Sequence, residues 1–384
     1  MSDFDVIVVG LGAMGSSAAY HLSRRGERVL GLDAYPAGHA NGSSHGESRI
    51  IRLAYYEHAD YNPLLARAYH LWADLEAEAG EQLFYASGGL MIGRPDDELV
   101  AESIAAIRRQ EREHDVLDVG ELRRRYPVFR PDDDEIALFD PRMGILFAER
   151  CLAAQRRLAV AHGAVLRDGT PVRRWTATPD GVVVWTDEER FRATRLVVAA
   201  GPWIGKLLPE LALPIGIERI PVFYWQPRES TECFALGRFP VYMWERREEG
   251  VFYGFPHLTV PGVKAGRHHN EDWCDADSVE RVVTEADEQL VRAFFARHIP
   301  ALDGEVVERY ACLYTTTPDQ HFLIDRHPAH ANVCYASSCS GHGFKFASVV
   351  GELLADLALT GQMAPAADFL RGERLGVVGR SVSV

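Results

Sequence analysis

Val6-Ile7-Val8-Val9-Gly10-Leu11-Gly12-Ala13-Met14-Gly15 is the stretch whose reading decides the fold. Its apolar run does not alternate with polar residues, which is the pattern of a strand buried on both faces in a parallel sheet. Gly10, Gly12 and Gly15 complete a G-x-G-x-x-G. The first glycine permits a tight turn, the second lets the backbone approach a pyrophosphate, and the third seats the following helix against the strand. A helix is expected over Met14 to Arg24, with small residues Ser16, Ser17, Ala18 and Ala19 early in it and Gly26 ending it. Its free N–H groups and positive dipole end then face the phosphates. A second apolar strand, Val29 to Leu32, runs into Asp33, about 20 residues past the turn, where an acid holds a ribose hydroxyl. The motif reads as a dinucleotide site and does not separate FAD from NAD.

The chain has 384 residues, more than one core usually serves, so two domains are expected. A hydrophobic fraction of 47% and a charged fraction of 25% are those of a globular enzyme. The formal net charge of −14 speaks against nucleic acid as a partner and supplies no basic belt for a membrane. No apolar run approaches the roughly 20 residues of a membrane span. Asp3 and Asp5 lead straight into the first strand, unlike a signal peptide, and Ser381-Val382-Ser383-Val384 is no peroxisomal address. A cytoplasmic location is the expectation.

Six cysteines (Cys151, Cys233, Cys274, Cys312, Cys334 and Cys339) form no C-x-x-C and no zinc spacing, so no metal is expected and the thiols read as free and mostly buried. Lysine use is more informative. Only Lys206, Lys264 and Lys345 occur among 41 basic residues. Where arginine carries nearly all positive charge, a retained lysine points to a site that needs a compact charge with a movable pKa. Arg49 and Arg52 stand three apart among Ile50, Ile51 and Leu53, a spacing that shares one face of a helical turn, and cations in such apolar company need an anion.

Farther along, a long amphipathic helix is expected over Tyr61 to Ala79, a strand over Ser87 to Ile92, and a charged helix over Glu98 to Glu113. The α/β pattern returns near Gly144, with a helix over Arg150 to His162 and strands at Val165–Arg167, Val172–Ala177 and Val182–Thr186. Leu196-Val197-Val198-Ala199-Ala200-Gly201 repeats the opening theme and reads as a second contact to the nucleotide. From Ile217 to about Ala301 the chain looks antiparallel, with strands at Ile220–Gln226, Val241–Glu245, Val251–Phe255 and Val263–His268, then a helix over Glu285 to His298. A strand at Val333–Ala336 and a closing helix over Ala347 to Leu359 finish it. The fold class expected is α/β (α+β, two domains), with a Rossmann-like nucleotide domain and an inserted antiparallel-sheet substrate domain. The nucleotide domain is assigned 1–80, 145–215 and 305–384; the substrate domain is assigned 81–144 and 216–304.

With these pieces assembled, the chain resembles the monomeric sarcosine oxidase family, which includes N-methyltryptophan oxidase. These are FAD-dependent amine oxidases with a D-amino-acid-oxidase-like architecture. The resemblance covers nearly the full length. It rests on Gly-Leu-Gly-Ala-Met-Gly at 10–15, Gly42-Ser43-Ser44-His45-Gly46-Glu47-Ser48-Arg49-Ile50-Ile51-Arg52, Tyr253-Gly254-Phe255-Pro256, Lys264, Ala311-Cys312-Leu313-Tyr314, and Ser340-Gly341-His342-Gly343-Phe344-Lys345-Phe346. The match selects FAD over NAD.

The resemblance implies roles residue by residue. Cys312, otherwise read as a structural thiol, matches the cysteine bonded covalently to the 8α-methyl of the flavin. His45 and Arg49 match residues beside the flavin, where a fixed cation stabilises the negative charge of its reduced form. Arg52 and Lys345 match the pair that holds the substrate carboxylate, one as a fork and one as a point charge. Lys264 matches the lysine placed where oxygen is reduced. Tyr253, His268 and Tyr314 match residues lining the substrate cavity. Contacts to FAD are implied for Gly10, Gly12, Ala13, Met14, Gly15, Asp33, Ser43, Ser44, Arg49, Arg52, Val172, Gly201, Cys312, Gly341, Gly343, Phe344 and Lys345. Lys206 is left as a surface residue.

The stretch Met243-Trp244-Glu245-Arg246-Arg247-Glu248-Glu249 is about one residue longer than the family pattern. With His257 and Thr259-Val260-Pro261 it is expected to shape the pocket for the amine's side chain. The activity implied is oxidation of a small anionic secondary amino acid such as sarcosine by molecular oxygen, in a monomer, giving formaldehyde, glycine and hydrogen peroxide. Oxidation of N-methyltryptophan, pipecolate or another cyclic or N-substituted amino acid is the alternative, as is a dehydrogenase on the same scaffold. A non-catalytic nucleotide sensor is the reading of a different class, and the clustered cations speak against it.

Overall fold

In a computed structural model, which describes residues 3–337 and 339–377, three sheets carry the chain. The C-terminal tetrapeptide read above lies outside the described residues. The first sheet has eight strands. Phe4–Val9 runs between Val29–Leu32 and Arg190–Val198, parallel to both, and Val333–Ser337 continues the parallel set beside Arg190–Val198. Val6 and Val8 enter one core with the helices Ala13–Arg24, Tyr61–Ala79, Ala148–Ala161 and Ala347–Thr360. Ile7 and Val9 enter a second core on the opposite face. Both faces of the strand are therefore buried, which is why its sequence does not alternate.

The small residues after the glycine turn have a visible use. A Cβ on Gly351 would lie 2.1 Å from Ser17 Oγ, so Ala13–Arg24 and Ala347–Thr360 touch almost backbone to backbone. Ser17 Oγ donates to the Ser348 carbonyl across that contact.

The second sheet has nine strands and is largely antiparallel. Gly216–Trp225 pairs with Val263–His268 on one side and with Val306–Thr316 along its length. Gly250–Gly254 and Val241–Arg246 continue the sheet outward from Val263–His268. Its apolar face packs on the helix Glu285–His298, whose N-terminus carries a capping box between Thr284 and Asp287. This pairing corrects one assignment from the sequence. Residues 306–316, grouped there with the nucleotide segments, hydrogen-bond into the second sheet. Their partner strand, Gly216–Trp225, lies far back in the chain, so linear position did not reveal it.

The third sheet is small: Ser48–Ile51 pairs with Gly144–Phe147, which pairs with Phe84–Tyr85. Arg49 thus sits on a strand, and the helical turn expected to carry Arg49 and Arg52 is absent. The β-branched pair Ile50-Ile51 favours the extended form, and the Gly144–Phe147 edge supplies its hydrogen bonds. Among the described residues, no helix is long and apolar enough to cross a membrane.

Candidate active site

The glycine turn opens one end of a cavity of about 690 Å³ that runs between the first and second sheets. Gly10 has φ +90°, and a Cβ there would lie 2.5 Å from the Ala199 carbonyl oxygen. A Cβ on Gly15 would lie 1.7 Å from the Gly10 carbonyl oxygen, so Gly15 seats the helix and does not itself line the cavity. Gly12, the N-cap, brings no side-chain cap, and no acid stands in the first helical turn. Asp33 accepts from the Leu11 N–H at 2.6 Å and from the Tyr35 N–H at 2.9 Å, one bond to each oxygen. Each oxygen keeps a lone pair for a hydroxyl. Ala13 and Met14 line the same end, and the Ala13 N–H donates to Ser44 Oγ at 3.0 Å. Val172 lies ahead of the strand Arg174–Thr178, and it and Gly201 border this end.

At the far end the scattered cations converge. Arg49 donates to four main-chain carbonyls: Ser43 at 2.9 Å, His45 at 2.6 Å, Ser48 at 2.8 Å and Gly46 at 3.5 Å. Lys264, on the strand beside Gly216–Trp225, donates to two of the same carbonyls, Gly46 at 2.5 Å and Ser48 at 3.0 Å. The turn that offers them is special: Gly46 has φ +100° and Glu47 has φ +59°. A Cβ on Gly46 would strike the Tyr310 hydroxyl. Burial, then the charge of Arg49, pushes the Lys264 ammonium well below the usual lysine range. Cys312 flanks the same strand as Lys264 from the other side, opposite Ile220, and is buried on the cavity wall.

His45 is buried, and neither ring nitrogen has a partner. Burial, then Arg49 and Lys264, pushes its pKa down to about 3. The ring is neutral, so the cation expected beside a flavin is Arg49 and not His45. An unpartnered, neutral imidazole on a cavity wall is suited to hydrogen-bond a polar ring laid against it.

Arg52 and Lys345 stand together, 1% and 5% exposed. Arg52 Nη2 meets Glu57 Oε1 at 2.5 Å and Nη1 donates to the Ala54 carbonyl at 2.9 Å, while Nε has no partner. Glu57 is the anion that the sequence called for without locating. Burial is outweighed by Arg52 and its neighbours, and the Glu57 carboxyl is held down at about 2. Lys345 Nζ donates to the His342 carbonyl at 2.7 Å. Burial, then Arg52, brings its pKa down to about 7.

Tyr253, His268 and Tyr314 wall the space between these cations. His268 Nδ1 lies 3.2 Å from the Tyr314 hydroxyl, and burial holds the imidazole neutral. Gly341, at φ +76°, has no room for a side chain: a Cβ would lie 2.5 Å from the Tyr314 ring. Gly343 is equally crowded, against Cys339. Phe344 carries Arg49 over its face at 5.6 Å and lies parallel to Trp72. Ser43 spends its hydroxyl on the Leu313 carbonyl.

Of the variable stretch, Met243 reaches the cavity. Trp244 does not; it is wholly buried in the second core and donates to Glu135. Adjacent strand residues point to opposite faces, so only one of the two could line the pocket. Thr259 and Val260 are tied to the Glu47 carboxylate. Lys206 is exposed and paired with Asp277 at the mouth. All six cysteines are free; three are buried. Met243 bears out the expectation that its stretch shapes the pocket. Sequence reasoning missed Glu57 and Tyr310; the only signal for Glu57 was an acid five residues past Arg52 in an apolar context.

The arrangement fits a long dinucleotide that ends in a planar ring: backbone and acid at one end, an unpartnered imidazole, a buried thiol and fixed cations at the other. Comparison with known proteins agrees. The family model described as DAO, FAD dependent oxidoreductase, matches residues 5–357. The monomeric sarcosine oxidase of Streptomyces avermitilis is 43% identical over 364 residues, covering 94% of this chain and 95% of that protein. The N-methyl-L-tryptophan oxidase of Salmonella arizonae is 34% identical, covering 93% and 95%. Among solved structures, NikD, an unusual amino acid oxidase essential for nikkomycin biosynthesis, superposes with a TM-score of 0.85 at 27% identity, covering 97% of this chain and 98% of that one.

Proposed function

The chain belongs to the DAO family of FAD dependent oxidoreductases, and we propose that it is an oxidase of sarcosine and similar N-alkyl amino acids. The observation that carries this is that Arg52 and Lys345 line the same cavity as Arg49, Lys264 and Cys312, with Arg49 over the face of Phe344 beside Lys345 and Cys312 near enough to act on both Arg49 and Lys264. A small carboxylate and a flavin ring share that part of the cavity. The net reaction takes sarcosine, oxygen and water to glycine, formaldehyde and hydrogen peroxide. FAD, when bound, accepts the hydride equivalent from the amine and passes the electrons to oxygen.

The chain's own residues do the rest. The Gly10 turn, the N-terminus of Ala13–Arg24 and Asp33 would hold the pyrophosphate and ribose. Arg52 and Lys345 would take the carboxylate. Arg52 offers Nε at once, but its fork is engaged by Glu57, so the substrate competes with an internal carboxylate for it. His268, Tyr253 and Tyr314 would line the amine end as neutral groups. A neutral amine needs no protein base to give up hydride. Lys264 and Arg49 would lend positive charge where oxygen is reduced. Cys312 would be the tether of a covalent flavin, buried on the wall of the same cavity as Arg49 and Lys264.

The printed name of the Streptomyces relative supports a monomer, and six unpaired thiols fit the cytoplasm. The deciding test is peroxide release from a panel of sarcosine, N-methyltryptophan, pipecolate and proline. Sarcosine is expected to lead. Turnover without peroxide would reject an oxidase, and preference for a cyclic amine would reject the substrate class. Acid precipitation tests the tether: yellow protein from the parent chain and colourless protein from Cys312→Ser is the expected pair of results.

A further inference from the structure

The carboxylate end contains two rings that no role above explains. We propose that Tyr55 and His342 are positioning residues for substrate binding: His342 anchors the Tyr55 phenol so that its ring face holds Arg52 and Lys345 charged and aimed at an incoming carboxylate. This rests on the reading of Arg52 and Lys345 as the carboxylate site.

The geometry is specific. Tyr55 is 1% exposed. Arg52 Cζ stands 4.6 Å from its ring centroid and Lys345 Nζ stands 5.2 Å from it. One ring therefore contacts both cations, within the range where the quadrupole attracts them. The ring is held at its far end, where the hydroxyl meets His342 Nδ1 in a short contact. His342 Nε2 lies 3.0 Å from the Gln320 carbonyl oxygen. A carbonyl cannot donate, so Nε2 carries the hydrogen. In the neutral ring Nδ1 is then bare and accepts from the Tyr55 O–H. Burial keeps that ring neutral, with a pKa pushed down to about 3. His342 touches the second cation as well, since its main-chain carbonyl accepts from Lys345 Nζ.

The charge balance explains the need. The titratable groups near Lys345 are Arg52, Glu57, Cys339, His268 and His342. Only Glu57 offsets the two cations, and it is bonded to Arg52. Lys345 is left with a carbonyl and aromatic faces. Desolvation disfavours its charge, and the ring of Tyr55 opposes that.

The test titrates the flavin absorbance of the holoenzyme with methoxyacetate, a sarcosine-sized carboxylate with no amine to oxidise. Tyr55→Leu is expected to raise Kd about tenfold to thirtyfold. Tyr55→Phe and His342→Asn are each expected to raise it about threefold, and the double variant no further, because both remove one bond. With sarcosine the loss falls on KM, while kcat stays within about threefold. The pH above which methoxyacetate binding fades moves down in Tyr55→Leu, because the ring favours the charged lysine. A pocket merely loosened by truncation weakens binding evenly at every pH, and that result overturns the proposal. Equal Kd in the parent and in Tyr55→Phe, the variant that keeps the ring's volume, also overturns it. A parent whose spectrum ignores methoxyacetate removes the carboxylate site itself, and the proposal with it.

Discussion

Two arginine–lysine pairs face one cavity, and they are neutralised in different ways. Arg49 and Lys264 rest on the main-chain carbonyls of Gly46 and Ser48, which accept from both. Arg52 is bonded to a side-chain carboxylate, Glu57, and shares the ring of Tyr55 with Lys345. Carbonyl dipoles solvate a cation without supplying a counter-charge, so the first pair has no displaceable anion and cannot exchange partners without unmaking a turn. A side-chain carboxylate cancels charge and can be displaced by another carboxylate. The first pair is thus suited to a constant field on a bound ring, and the second to reversible capture of an anion.

Breaking the first pair is expected to have the largest effect. Lys264→Met should slow reoxidation by oxygen about a hundredfold or more while anaerobic reduction by sarcosine changes little. Stopped-flow measurement of the two half-reactions decides it; equal loss in both would merge the two pairs into one functional unit. Next comes Lys345→Met, expected to lower kcat/KM about thirtyfold to a hundredfold, with the loss in KM and with reoxidation intact.

The comparison also sharpens with pH. Lys345, held at about 7, is charged below that value and loses its charge above it. KM for sarcosine should therefore rise from neutral to alkaline pH, by about tenfold per unit at most. Over the same range kcat should rise, because only the neutral amine gives up hydride. Flat KM from pH 6 to pH 9 would remove Lys345 from the carboxylate site. The smallest effect belongs to Glu57→Gln. With the internal competitor gone, methoxyacetate should bind a few-fold more tightly, while the thermal midpoint falls because Arg52 loses its buried counter-charge.

Much of this was legible along the chain, and unevenly so. The run Val6–Val9 showed a strand buried on both faces because every residue in it must be apolar. Gly10, Gly15 and Gly341 marked places where a Cβ would strike another backbone or ring. The scarcity of lysine drew attention to Lys264 and Lys345, and both line the cavity. Other readings failed for local reasons. The spacing of Arg49 and Arg52 imitates a helical turn, yet β-pairing with Gly144–Phe147 decides the backbone there. His45 looks like a cation in a list of residues and is neutral once burial is counted. Met243 and Trp244 are neighbours in sequence and belong to opposite faces of one strand.

The amino-acid sequence alone determined the dinucleotide motif, the order of most strands and helices, and the set of residues capable of the chemistry, because those depend on short-range pattern and on residue type. Only the tertiary structure decided which charges meet, that Glu57 rather than solvent faces Arg52, that Cys312 and Lys264 flank a common strand, and which groups remain charged. Charge state is set by desolvation and by neighbours that mostly lie far away in the chain, and even a partner as near as Glu57 is not marked as one by any local pattern.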